Sequence, residues 1–174
     1  MTSGHGKRLF FALWPGDEVR HALFHWQTHN LSASVRWQHR ADLHMTLHFL
    51  GQVDDDRLPV LKSLAADVVP APFSVVIDRI GHWPKARVLW AGPTSVPGSL
   101  LDLHAQLETG LRQNGFEIDA RSYRPHLTLA RHVDDDEGLR PLMPLTWPVR
   151  KLALVESRTG DAPHYHPIAH WPLD

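Results

Sequence analysis

One repetition constrains this chain more than any other feature. Residues 44–47 read His-Met-Thr-Leu, and residues 126–129, 82 positions later (126 minus 44), read His-Leu-Thr-Leu. Each copy closes a longer repeated order. RLFFALWP from Arg8, then helical spacing, then HMTLHFL, then VDDD in the first half match RVLWAGP from Arg87, then helical spacing, then HLTLAR, then VDDD in the second. A period near 80 is too long for a solenoid unit. The shared order favours duplication into two similar lobes over the ordinary alternation of an α+β chain.

Hydrophobic patterning fills in the elements. Strands are expected at Arg8–Trp14, Val35–Trp37, His44–Leu50 (closed by Gly51), Phe73–Ile80, Arg87–Ala91, His126–Arg131, Val149–Ser157 and Tyr165–Trp171. Helices are expected over Asp17–Asn30, with Asp17 as cap, over 53–69 with Asp54, Asp55 and Asp56 at its start, and over Ser99–Asn114. In the last of these, Leu100, Leu103, Leu107 and Leu111 share a face and Gly115 supplies the stop.

Composition narrows the chemistry. With 18 basic and 19 acidic residues the net charge is -1, which leaves room for a basic pocket but not for a general grip on a nucleic-acid backbone. No cysteine is present, so disulfides, thiolate catalysis and cysteine-held metals are excluded. No apolar run reaches the roughly 20 residues that span a membrane. The N-terminal text does not read as a signal peptide, so a cytoplasmic protein is expected. A monomer is expected as well.

Alternate residues on a strand share a face. His44 and Thr46, and likewise His126 and Thr128, then project together, while Met45, Leu47, Leu127 and Leu129 face the core. Facing lobes would bring two imidazoles and two hydroxyls to one cleft. Histidine titrates nearest neutrality, and an in-line displacement at phosphorus can use a base on one side and an acid on the other. The hydroxyls can donate to phosphate oxygens. Arg131 is an odd five residues past His126, so an ideal strand turns it away from the phosphate and a strand end or bulge brings it back.

The paired motifs, with RLFFAL, LHMTLHFLG, RVLWAG and RPHLTLAR around them, resemble the 2H phosphoesterase superfamily, in the branch of RNA 2′,3′-cyclic phosphodiesterases also called 2′-5′ RNA ligases. The resemblance covers nearly the whole chain. It implies an α+β fold of two similar lobes, each an antiparallel sheet backed by helices, with the active-site cleft between them, in one domain over residues 1–174. It implies His44 as proton donor and His126 as proton acceptor, with Thr46, Thr128 and Arg131 on the phosphate. It also implies hydrolysis of RNA 2′,3′-cyclic phosphate ends, tRNA-derived ends among them, to 2′-phosphates, with reversible 2′-5′ joining when a 5′-hydroxyl end replaces water, and no metal or other cofactor. The alternatives are cleavage of 2′-5′ oligonucleotides or small cyclic nucleotides, and an RNA-end-binding module without turnover.

Several features have two readings. His164, His166 and His170, or His21, His25 and His29, have metal-ligand spacings, but solvated histidines explain them better in a chain with 14. The Asp triplets 54–56 and 134–136 suit helix starts better than a magnesium site. His48 either lines the cleft or is buried. Trp37 and Trp83 are the tryptophans placed best to stack on a base, and Tyr165 either stacks or packs.

Overall fold

The computed structural model describes residues 5–30, 35–68 and 70–173. Among these, ten strands and three helices follow in the order β1 (Gly6–Leu13), α1 (Asp17–Thr28), β2 (Arg36–Trp37), β3 (Met45–Asp54), α2 (Leu58–Ala66), β4 (Phe73–Ile77), β5 (Arg79–Trp83), β6 (Val88–Gly92), α3 (Gly98–Gln113), β7 (Leu127–Arg131), β8 (Leu145–Val149), β9 (Lys151–Ser157) and β10 (Tyr165–Pro172). The main sheet is antiparallel in the order β10-β9-β1-β3-β7-β6-β5, with β2 also on β7. Its two halves, β10-β9-β1-β3 and β7-β6-β5, meet among the described residues through the backbone pair Met45–Leu127 alone. These halves are the two lobes. The residue before each member of the joining pair is a motif histidine; the strands are antiparallel, so His44 and His126 lie diagonally across the seam on one face of the sheet. Strands β4 and β8 form a separate ribbon.

The core lies behind the sheet. Leu9, Phe11 and Leu13 from β1, Met45 and Leu47 from β3, and Leu127 and Leu129 from β7 are all buried there. The stripe Leu100, Leu103, Leu107 and Leu111 packs α3 against the same core. On the cleft side, Phe10, Ala12, Ala153 and Val155 form a smaller apolar patch with Trp14 and Tyr165.

Both motif strands carry a β-bulge at the same place. Ala12 faces Thr46 and Phe11 faces His48, so Leu47 is the extra residue in β3. Trp90 faces Thr128 and Leu89 faces Ala130, so Leu129 is the extra residue in β7. A bulge reverses the alternation of faces beyond it. The helices cross between lobes: α1, from the first repeat, reaches the Leu129 carbonyl through Gln27 Nε2 at 3.1 Å, and α3, from the second, packs His104 on His48 of β3 with ring centroids 4.0 Å apart.

Some expectations need correction. Gly16, not Asp17, is the cap of α1, and Asp17 sits in the first turn. β3 runs through Gly51 to Asp54, because Gly51 takes a φ of +73° in a second bulge. α2 therefore begins at Leu58, after a 3-10 turn over Asp55–Arg57, and Val69 lies outside the described residues. The single strand expected over Phe73–Ile80 is two strands in different sheets. No helix follows Asp134–Asp136 among the described residues; Asp134 instead pairs with Arg87 at 2.7 Å. Strand β8 has no counterpart among the expected elements, since Pro148 interrupts its text.

Candidate active site

The two motif histidines are held alike. Nδ1–H of His44 donates to the Asp42 carbonyl at 2.7 Å, and Nδ1–H of His126 donates to the Arg124 carbonyl at 2.7 Å. In both cases the acceptor lies two residues back along the chain. That bond fixes the tautomer and leaves each Nε2 as the working nitrogen. Nε2 of His44 accepts from the Thr46 hydroxyl at 3.0 Å. Thr46 thus bonds its own motif's imidazole here, and reaches a phosphate only by exchanging that bond.

Aromatic walls enclose both rings. Phe10 and Tyr165 lie 4.9 and 4.8 Å from His44, and Trp14 stacks at 6.0 Å. Trp83 stands edge-on to His126 at 4.6 Å and Trp90 at 6.4 Å. Desolvation disfavours the charged form of a buried histidine. Burial pushes His44 down to about 4, helped by the charges of Arg20 and His126 and opposed by the Asp42 carbonyl bond. It also lowers His126, where the Arg131 charge acts in the same direction. The strand registers put the two imidazoles and Arg131 on the same face of the sheet.

The bulge at Leu129 turns Arg131 onto the face of Thr128, as the odd count required. Arg36 pairs with Arg131 in register and joins that face. The matching bulge turns His48 away. His48 is 4% exposed and its ring donates to the His104 carbonyl at 2.8 Å, so it is a buried histidine and not a cleft residue. The same bulge presents Phe49, half exposed, with Arg8 over its ring at 4.8 Å. Arg79 lies over Trp90 at 5.0 Å. A chain of net charge -1 thus gathers Arg8, Arg36, Arg79 and Arg131 on the cleft side of its sheet.

Trp83 stands at the site as expected, whereas Trp37 packs edge-on against Trp26 in the core and leaves the stacking role. Tyr165 packs on His44, anchored through Asp42, whose carboxylate accepts the backbone N–H groups of His164 and Tyr165 at 2.9 to 3.0 Å. Arg20, buried over Trp14 at 4.6 Å and pushed down to about 10 by that burial, completes the backing of His44. Phe49, Arg8, Asp42 and Arg20 escape a reading of the sequence, because strand parity and core text give no sign of them. Among the described residues no three His, Asp or Glu side chains are placed to hold a metal ion, and neither histidine-rich set assembles one.

The family model of the 2′-5′ RNA ligase superfamily matches residues 15–161. This chain belongs to the 2′-5′ RNA ligase superfamily. It is 29% identical to the RNA 2′,3′-cyclic phosphodiesterase of Escherichia coli over 170 residues, 96% of this chain and 97% of that one. It is 32% identical to the protein of the same name from Thermus thermophilus, over 86% of this chain and 81% of that one. Among solved structures, E. coli LigT complexed with 3′-AMP superposes with a TM-score of 0.87 at 28% identity, over 97% of this chain and 99% of that one. The superfamily fold is thus present over nearly the whole chain, including both lobes and the cleft between them.

Proposed function

We propose that the chain hydrolyses RNA 2′,3′-cyclic phosphate ends to 2′-phosphomonoesters, by acid–base catalysis from His44 and His126. The observation that carries this reading is the matched pair of imidazoles, each fixed through Nδ1 and each offering Nε2 to one cleft. A site that only bound phosphate would need cations and no such pair. The relatives' shared name, RNA 2′,3′-cyclic phosphodiesterase, supports the substrate.

In this mechanism His126 Nε2 takes a proton from water as the water oxygen bonds to phosphorus. The bond from phosphorus to O3′ breaks, and His44 gives its proton to that oxygen, leaving the phosphate on O2′. The anionic phosphate between the rings raises both pKa values and restores the proton that burial removes from His44. Thr46, Thr128 and Arg131 hold the non-bridging oxygens, and Arg131 adds a charge-assisted contact. Phe49 and Trp83 offer apolar faces to the bases of a single strand. Replacing water by a 5′-hydroxyl RNA end, in the same sense and with the same bond to O3′ broken, gives a 2′-5′ linkage. The two lobes act as halves of one domain, in a monomeric cytoplasmic protein for which tRNA-derived ends are substrates. Among the described residues no helix is long and apolar enough to cross a membrane.

The test is turnover of an oligonucleotide ending in a 2′,3′-cyclic phosphate, with excess chelator and with the product end identified. A 2′-phosphate formed at an undiminished rate is expected. Loss of activity in chelator, restored by a divalent metal, overturns the two-histidine mechanism. A 3′-phosphate product spares the two-histidine chemistry and reverses the orientation of the cyclic phosphate between the rings, overturning the assignment to this branch.

A further inference from the structure

The bulges at Leu47 and Leu129 set which side chains face the cleft, and a bulge leaves backbone groups without ladder partners. The partners found here come from across the seam. At β3, the Thr46 carbonyl accepts from the Tyr123 hydroxyl at 2.9 Å, and the His48 ring, just past the bulge, donates to the His104 carbonyl at 2.8 Å. Tyr123 lies just before β7, and His104 lies on α3. At β7, the Leu129 carbonyl accepts from Gln27 Nε2 at 3.1 Å and from the backbone N–H of Gln38 at 2.8 Å. Gln27, only 2% exposed, lies on α1. The His104 ring is further clamped face to face between His48 and Tyr123, each 4.0 Å away.

We propose that Tyr123 and His104 are the positioning residues of the first His-x-Thr motif and Gln27 that of the second, each bulge being held by groups from the other repeat. None of the three touches the reacting atoms. They act through the backbone that carries Thr46 toward His44 and Thr128 toward Arg131. Tyr123 also couples the lobes, since its hydroxyl fixes β3 relative to the chain entering β7, beside a seam with one backbone pair. This inference rests on the hydrolytic reading for its kinetic arm, but not for its spectroscopic arm.

The test uses Tyr123→Phe, which keeps the ring and removes the hydroxyl, with His104→Leu, His104→Phe and Gln27→Leu. The kinetic arm is turnover of the cyclic-phosphate oligonucleotide per folded molecule. For Tyr123→Phe, His104→Leu and Gln27→Leu, kcat should fall about tenfold to a hundredfold with KM within about twofold, the scale of a misplaced reacting group. His104→Phe, which keeps a ring between His48 and Tyr123, should recover part of the loss. The spectroscopic arm reads the imidazole ¹⁵N resonances. Tyr123→Phe and His104→Leu should move those of His44, and Gln27→Leu those of His126. Wild-type kcat in Tyr123→Phe and Gln27→Leu, or resonance changes that follow the variant's own repeat, overturns the proposal. A wild-type protein inactive on the oligonucleotide sinks the hydrolytic reading instead, and the crossed resonance pattern still decides this one. A variant with reduced Tm but unchanged kcat per folded molecule marks a purely structural role and also overturns it.

Discussion

At the scale of single residues, the proposed mechanism gives each imidazole a task of its own. His44→Ala and His126→Ala should each lower kcat by at least about a hundredfold with circular dichroism unchanged. Near-normal turnover in either refutes the mechanism. Thr46→Val and Thr128→Val keep the shape and branching of the side chain and should cost about 1–3 kcal/mol of transition-state stabilisation, read from kcat/KM. Wild-type values in both would leave the hydroxyls a structural role only. Burial lowers both histidines, so the bell for kcat/KM should centre on the acid side of 6.5. The bell for kcat should lie at higher pH, because bound phosphate raises both groups. Coincident profiles would show that the phosphate does not sit between them.

At the scale of elements, the space around the site is set by glycine as much as by aromatic rings. A Cβ at Gly81 on β5 would lie 2.1 Å from the Trp90 ring, which lies across it on β6. Gly81→Ala should push Trp90, and with it Trp83 and His126, out of place. A cost of about 1–3 kcal/mol is expected, with a change in tryptophan fluorescence and a lower kcat. Most strands could be read from apolar runs, and the pair of histidines from the repeated text. The bulges could not. Leu47 and Leu129 look like any core leucine, and what makes each the extra residue is its pairing with β1 or β6, which local sequence does not record. Counting faces from His44 therefore left His48 open between cleft and core and gave no sign of Phe49 in the cleft. Asp134–Asp136 resembled Asp54–Asp56 in letters, but no amphipathic run follows them to make a helix.

At the scale of the whole molecule, acid stability should follow the buried imidazoles. His44 and His104 are pushed to about 4, and His48 and His126 are also lowered, mainly by burial. Each binds a proton more readily unfolded than folded. Their stabilisation is full above about 6.5 and is lost as pH falls toward 4. Melting curves should show Tm dropping through that window, and a flat Tm there would mean the rings are wetter than their packing indicates. Heating should give one transition and not two, since neither lobe keeps its covering helix if the other melts.

That crossing has a consequence for ancestry. A chain carrying one repeat would have a motif strand with an unfilled bulge and a helix with no strand of its own to cover. Two such chains could satisfy both needs only by exchanging helices, each covering the other's sheet. Fusing two such chains end to end would put both motif strands, and with them the two histidines, into one molecule, with β9 and β10 from the later chain completing the first half of the sheet.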